Sequence, residues 1–439
     1  MVNKFWMDSY KKTLDYLYNQ LPMFQRSGPP AYKNSLSDTL KLDALYNHPH
    51  LNYKTIHIAG TNGKGSVSHM LAAILQKAGY KTGLYTSPHL KNFAERIRVN
   101  GKMIDEGDIV AWVETFMKNN RKWKISPSFF ELTVIMAFDY FSYQQVDMAV
   151  IEVGLGGRLD STNIITPEVS VITNIGYDHT DLLGKTLESI AGEKAGIIKK
   201  GVPVVIGRTQ EDTKKIFTLK AAESSAPLFF ADMEYAADYA MLSPEGKLML
   251  NVRHGDQPAW PELKVGMAGL YQRENVATIL KVCDVLKEQG VAIPGKAIYE
   301  GLANVTELTG IRGRWQVIGQ NPMIICDTGH NEDGIKAVVE QLTRSPYKKL
   351  HIIFGTVRDK DVRKILPLLP VGAEYYFTKA NIPRALDEKA LQEMALEFGL
   401  KGKAYPTVKS AFETAQMTAS DGDLIFVGGS TFVVAEILP

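Results

Sequence analysis

The sequence predicts an α/β protein in which a P-loop-type domain with a mostly parallel sheet is followed by a smaller Rossmann-like α/β domain. Three observations predict it. Short apolar runs alternate with segments of helical period, as in a sheet covered on both faces. The first such run, Thr55–Ala59, opens into the glycine-rich turn Gly60-Thr61-Asn62-Gly63-Lys64-Gly65-Ser66. A second alternating series begins beyond Thr309.

Taken in order, Met1–Gln20 carries Lys4, Lys11 and Lys12 among spaced apolar residues such as Phe5, Leu14 and Leu17, the pattern of an amphipathic helix and not of a signal peptide. After the Thr55–Ala59 strand, Lys64–Ala78 has helical period. Thr82–Thr86, Asp147–Val153, Val169–Thr173 and Pro203–Ile206 are apolar enough to be buried strands. A helix is expected over Thr186–Lys199. Glycine, proline and polar residues thicken between Leu242 and Gly266, predicting an irregular, partly antiparallel excursion. Helices follow over Arg273–Gln289 and Gly295–Asn304. The second series places strands at Met323–Cys326, Leu350–Phe354, Tyr375–Thr378 and Leu424–Val427. The domain boundary falls near residue 306, giving domains of 1–305 and 306–439 joined by Thr306–Gly313.

The 439 residues, 45% of them hydrophobic, suffice for two or three domains. With 50 basic and 48 acidic residues, no strong field favours nucleic acid or an anionic membrane, although a local patch can still bind a small polyanion. No apolar run is long enough to span a bilayer. Cys283 and Cys326 each lie in apolar surroundings and read as buried thiols in a reducing compartment, so a cytoplasmic location is expected.

Glycines in a strand-to-helix turn let backbone N–H groups approach phosphate oxygens, and a lysine neutralises them. The turn departs from the usual phosphate-loop pattern. Only Thr61 and Asn62 separate Gly60 from Gly63, and Gly65 stands where a magnesium-binding hydroxyl normally follows the lysine. A plain surface turn carrying a lysine is the competing reading.

Further chemistry gathers where the first domain's strands end, the edge at which parallel sheets bind ligands. Glu152 lies inside the apolar run Ala149–Val153, where a carboxylate needs a cation or hydrogen-bond donors; a buried ion pair is the plain alternative. The strand at Val169–Thr173 runs into Asn174-Ile175-Gly176-Tyr177-Asp178-His179-Thr180-Asp181, bringing an imidazole and two carboxylates to the same edge and pointing to a metal site. Lys194 falls on the apolar stripe of Leu187, Ile190, Ala191, Ile197 and Ile198. A lysine so placed finds a partner or loses its charge. It can pair with Glu152 or an aspartate, or it can be carbamylated by carbon dioxide to a carboxylate that binds a hard cation; on pairing rules alone the salt bridge comes first.

These residues carry a family resemblance. Gly60–Ser66 (GTNGKGS), Thr86–Leu90 (TSPHL), Glu95–Val99 (ERIRV), Phe129-Phe130-Glu131, Glu152–Asn163 (EVGLGGRLDSTN), Gly176–Gly184 (GYDHTDLLG) and Glu193–Ile197 (EKAGI) resemble folylpolyglutamate synthase and its dihydrofolate synthase branch, of the Mur-type amide ligases. The resemblance runs over most of the chain and is strongest in the first domain. In the second, Cys326-Asp327-Thr328-Gly329-His330-Asn331 stands where the family usually has Asp-Gly-Ala-His-Asn. Tyr271 in Gly269-Leu270-Tyr271-Gln272 replaces a usual histidine, and Arg312-Gly313-Arg314-Trp315-Gln316 lacks the usual proline and acidic residue.

The resemblance implies an ATP-dependent ligase that adds L-glutamate to folates, and to dihydropteroate if bifunctional, through an acyl phosphate. It implies that Lys64 and the amides of Gly60, Thr61, Asn62, Gly63, Gly65 and Ser66 hold the β- and γ-phosphates of ATP. Ser87, Glu152, His179 and carbamylated Lys194 would hold two magnesium ions, with Ser87 supplying the hydroxyl that Gly65 lacks. Asn275, Arg314 and Asp327 would contact the nucleotide, and His330 would act beside Asp327 from the second domain. Phe93, Phe129, Phe130 and the Ser87–Val99 loop are candidates for the folate cleft, although aromatic residues in such positions are commonly core. A monomer with no nucleic-acid or membrane partner is expected. Two other readings compete: a Mur-type ligase extending a peptide on a nucleotide sugar, and a nucleotide-gated binding protein without ligase activity.

Overall fold

The computed structural model describes residues 2–23, 33, 35–243 and 245–438. Its chain divides into two compact units: one built from residues 1–239, 250–264 and 273–310, the other from 240–249, 265–272 and 311–439. The segment read as a linker contains a short helix, Val305–Thr309, closed by Gly310 in the left-handed region at φ +66°.

The first unit is organised by an eight-stranded sheet of β1 (Lys54–Ala59), β2 (Thr82–Tyr85), β3 (Ile97–Val99), β4 (Lys102–Met103), β5 (Met148–Glu152), β6 (Val169–Ile172), β7 (Val204–Ile206) and β8 (Leu228–Phe230). The order is β4-β3-β2-β5-β1-β6-β7-β8, and the only antiparallel pairings are those of β3 with β2 and β4 at one edge. β1 lies between β5 and β6, with Ile58 opposite Glu152 on one side and Val171 on the other. Every residue of β5 and all of β1 but Lys54 are buried, because helices cover both faces.

The helix Lys64–Lys77 packs on one face, across β1, β2 and β5, and is itself covered by Gly295–Ala303. Gly301 permits that closeness: a Cβ there would lie 2.7 Å from the Cα of Ile74. The helix Phe129–Tyr143 starts at a capping box, in which Ser128 Oγ accepts from the Glu131 amide and Glu131 accepts from the Ser128 amide. It is apolar on most sides and fills a core with Phe93, Ile109, Val113 and Phe116. The helix Leu187–Ala195 and its neighbour Glu211–Glu223 close a second core over Ala59, Val153, Ile172 and Ile206.

At the N-terminus, an α-helix over Val2–Asp15 passes into a π-turn over Tyr16–Gln20, and Leu17 is fully buried. Met1 and the side chains of Lys4 and Phe5 lie outside the described residues. The helix expected over Thr186–Lys199 stops at Ala195. Gly196 is its C-cap, and its lack of a side chain lets the helix end approach the Arg158 backbone. The irregular stretch becomes a separate three-stranded sheet of β9 (Tyr235–Leu242), β10 (Leu248–His254) and β11 (Gln257–Val265), in the order β11-β10-β9.

The second unit carries a six-stranded sheet of β12 (Gln316–Gln320), β13 (Met323–Cys326), β14 (Leu350–Phe354), β15 (Glu374–Thr378), β16 (Gly402–Tyr405) and β17 (Leu424–Gly428). Its order is β12-β13-β17-β14-β15-β16, with β12 alone antiparallel. Asn331 caps the helix Glu332–Arg344 that follows β13, its side chain accepting from the Gly334 amide at 2.9 Å. Cys283 and Cys326 are free and buried.

Gly301→Val should destabilise the first unit by about 1–3 kcal/mol, since the neighbour it meets is backbone and cannot rotate away. Denaturant unfolding should show this as a lower midpoint with an unchanged slope.

Candidate active site

The β1-to-helix turn is shaped by two glycines in left-handed or otherwise glycine-favoured geometry. Gly60 has φ +145°, and a Cβ there would sit 1.8 Å from Thr173 Oγ1; Gly63 has φ +85° and would meet Asn275 Oδ1 at 2.4 Å. Gly63 is also the N-cap of Lys64–Lys77, a fourteen-residue helix with no acidic residue in its first turn. Its first amides therefore present partial positive charge with no local carboxylate to quench it.

The loop after β6 pins this turn. Asn174 accepts the Thr61 amide on its carbonyl (2.9 Å) and the Asn62 amide on Oδ1 (2.9 Å). Thr173 Oγ1 donates to the Asn62 carbonyl at 2.5 Å, and Thr61 Oγ1 donates to the Gly176 carbonyl while accepting its amide. The sequence pattern gave Thr173 and Asn174 no role. Their signal is only positional, a threonine and an asparagine at the end of the strand beside β1.

Lys64 Nζ donates to the carbonyls of Gly60 (3.0 Å) and Thr61 (3.1 Å). Lys194 Nζ donates to the same Gly60 carbonyl at 2.9 Å. Lys194 is 4% exposed, and burial, reinforced by the nearby Lys64 charge, lowers its pKa from the ordinary 10.5 to about 7 against the opposing pull of Asp178 and Asp160. No carboxylate among the described residues lies within 4.0 Å of it, so the salt bridge to Glu152 or an aspartate is not formed. The charge is relieved by desolvation and repulsion, which leave an amine near half-protonation at neutral pH.

Glu152 ends β5 and is buried; its Oε2 accepts the Ser87 amide at 2.9 Å, which ties the β2 and β5 ends together. His179 follows β6 in left-handed geometry at φ +50°, its amide donating to Asp178 Oδ1 at 2.9 Å. Asp160, which the sequence pattern did not single out, is buried within charge reach of Lys194 and accepts from the amides of Leu155 and Thr162 and from Thr162 Oγ1. Among the described residues, no three His, Cys, Asp or Glu side chains are gathered closely enough to hold an ion. Glu152 and His179 therefore need further donors. The donor set fits a hard divalent cation if Ser87 and an oxygen on Lys194 complete it, because a lysine amine brings no oxygen of its own.

Asn275, near the start of the helix Gln272–Glu288, is buried against Gly63. Phe93 and Phe129, candidates for a ligand wall, are instead core residues at 1% and 3% exposure. Arg96, buried beside them, lies over the Phe129 ring at 5.1 Å and donates to His89 Nδ1 at 2.7 Å. Phe130 is half-buried and packs on Gly154, where a Cβ would fall 2.3 Å from its ring. The Ser87–Val99 loop is held from within by Glu95, which accepts the amides of Leu90, Lys91 and Asn92.

In the second unit, Asp327 follows β13 and is 3% exposed. Its Oδ2 accepts from Tyr271 OH (2.6 Å) and the Trp315 amide (2.8 Å), and its Oδ1 from the Gly329 amide (2.8 Å). It is not a helix cap; Asn331 has that place. Arg314 donates to Thr328 Oγ1 and to the Gly313 carbonyl, and His330 Nδ1 faces the Thr328 carbonyl at 3.0 Å.

Comparison with known proteins follows this geometry. Residues 58–281 match the Mur ligase middle domain, and 313–431 match the Mur ligase, glutamate ligase domain. A dihydrofolate synthase/folylpolyglutamate synthase of Bacillus subtilis is 30% identical over 416 residues, covering 92% of this chain and 94% of that protein. A folylpolyglutamate synthase of Mycobacterium tuberculosis, solved with ADP and AMPPCP, superposes with a TM-score of 0.85 at 31% identity, covering 98% and 97% of the two chains. A bifunctional folylpolyglutamate synthase/dihydrofolate synthase solved with Mn, AMPPNP and L-glutamate gives 0.80 at 30% identity, covering 92% and 94%. Both domain matches, the sequence relative and the superpositions agree, and the chain belongs to the folylpolyglutamate synthase/dihydrofolate synthase group of the Mur ligase family.

Proposed function

We propose that this chain joins L-glutamate to the γ-carboxylate of reduced folates, and to dihydropteroate, at the expense of ATP. The observation that carries the reading is the turn at Gly60–Lys64 with two lysines on one carbonyl: a helix start suited to an anion, with a second amine of lowered pKa beside it. The relatives' printed names supply the substrate class.

In this reading a substrate carboxylate attacks the γ-phosphorus of ATP. The bond to the β–γ bridging oxygen breaks, and an acyl phosphate and ADP form. Lys64 and the amides of Gly60 and of Gly63 to Ser66 hold the phosphates and offset their charge, which is most of what this transfer needs, while those of Thr61 and Asn62, expected to join them, are taken by Asn174. The α-amine of glutamate, as the free base, attacks the acyl carbon, and the tetrahedral intermediate expels phosphate. Asn275, Arg314 and Asp327 are assigned to the nucleotide, and His330 to orienting the amine. Ser87, Glu152, His179 and Lys194 are assigned to two magnesium ions, which when bound neutralise the phosphate oxygens.

The last assignment requires Lys194 to carry a carbamate. Its amine attacks the carbon of CO₂, a proton leaves to solvent, and an N-linked carboxylate results. The reaction needs the unprotonated amine, and a pKa near 7 supplies it at neutral pH, where an ordinary lysine is almost wholly charged.

Three outcomes test the reading. Labelled glutamate should enter both dihydropteroate and a reduced folate in an ATP- and magnesium-dependent reaction; incorporation into neither, with ATP still bound, overturns it. Lys64→Ala should lower turnover at least about a hundredfold, as loss of a charged phosphate contact does elsewhere, read as ATP-dependent phosphate release. Lys194→Ala should be inactive and partly restored by added short carboxylic acids, whereas absence of any rescue together with an unmodified Lys194 mass in the intact wild-type protein would sink the carbamate.

A further inference from the structure

The hydroxyl of Tyr271 belongs to a three-legged clamp on Asp327 that no catalytic assignment above requires. Gly269 lets the Tyr271 ring fold back over its own chain, where a Cβ would meet the ring at 2.6 Å. The segment is moored by Gln341, whose Oε1 accepts the Leu270 amide (2.7 Å) and whose Nε2 donates to the Ala268 carbonyl (2.8 Å). Tyr271 OH then donates to Asp327 Oδ2.

Of the other two legs, the Gly329 amide belongs to the loop of Asp327 itself, and the Trp315 amide ends on the chain that carries Arg314. Trp315, a bulky residue, stands in the left-handed region at φ +46°, a conformation that persists only where its surroundings over-determine it. Its amide is bound to the same Oδ2 that Tyr271 holds, and its ring is buried in the core with Phe426. One residue back, Arg314 reaches Thr328 Oγ1 and Gly313 O, and Gly313 is tied to Gln316 Oε1 and to the Thr328 amide. The direction of Arg314 thus depends on a strained backbone held at Trp315 by one Asp327 oxygen and at Gly313 by Gln316 and Thr328.

We propose that Tyr271 is a positioning residue for nucleotide binding, which fixes Asp327 so that the Gly313–Trp315 turn aims Arg314. The proposal rests on the assignment of Arg314 to the nucleotide. Burial tends to raise the Asp327 carboxyl, and the Tyr271 hydroxyl opposes this most strongly, ahead of Arg314 and the amides of Gly329 and Trp315. Cys326, the other titratable neighbour, is itself raised to about 12 by burial and stays a neutral thiol.

The test is Tyr271→Phe, which keeps the ring and removes one hydrogen bond to a charged group. KM for ATP, and the dissociation constant of a non-hydrolysable ATP analogue by equilibrium dialysis, should rise about tenfold. The KM values for glutamate and folate and the thermal midpoint should stay near wild type. The acid limb of kcat/KM for ATP should move to higher pH, because the carboxyl has lost a donor that favours its charged form. Replacing Tyr271 by 4-aminophenylalanine keeps an N–H donor at the reach of the hydroxyl and should hold ATP affinity near wild type, and it serves as the test if the Phe variant does not fold. Unchanged analogue affinity in Tyr271→Phe, a loss of stability alone, or weakened ATP binding in the 4-aminophenylalanine variant overturns the proposal. Wild-type protein that binds the analogue but incorporates no glutamate overturns the ligase reading instead, and the dialysis comparison still decides the role of Tyr271.

Discussion

Two lysines donate to one carbonyl oxygen, that of Gly60, and the chemistry of the first unit follows from that crowding. Two like charges on a shared acceptor repel, and the one that is buried gives way because it has no water to screen it. Lys64, at the helix start, stays with the phosphate loop. Lys194, reached from the opposite side of the sheet by the helix Leu187–Ala195, is pushed toward the free base. A lysine with a substantial free-base fraction at physiological pH is a nucleophile, and this is the property that distinguishes the proposed carbamate site from an ordinary buried ion pair.

The crowding is possible because the sheet order places β1 between β5 and β6, so that Gly60, Glu152 and Thr173 all leave the sheet at one edge. Gly60 must then pass within touching distance of Thr173, which explains a glycine there independently of any phosphate. The proposed phosphate loop is not a free-standing turn. Its amides at Thr61 and Asn62 are held by Asn174, leaving those nearer the helix start for a ligand.

The second unit solves a similar problem with a carboxylate. Asp327 gathers the amide of Trp315, next to Arg314, the amide of Gly329, next to His330, and a phenol from a distant segment, so one buried charge organises two loops. A buried carboxylate is costly unless its lone pairs are filled, and three donors meet that cost here.

The sequence by itself determined the fold class, most strands of both parallel series, the glycine-rich turn after β1, and the burial of Glu152 and Lys194, because each is written in local period or in an apolar run interrupted by one charge. The motif order also gave the family before any geometry. Short strands at or next to the sheet edges, β3, β4, β8, β12 and β16, were not legible, since two to five residues carry too little periodicity. Only the tertiary structure decided what the charges meet. Lys194 finds a carbonyl and not a carboxylate, Phe93 and Phe129 become core, and Asp327 is held by Tyr271 and not by a helix end. The physical reason is the same in each case: a residue's own sequence neighbours fix its burial, while its partner comes from a segment tens to more than a hundred positions away, and sheet order alone brings the two together.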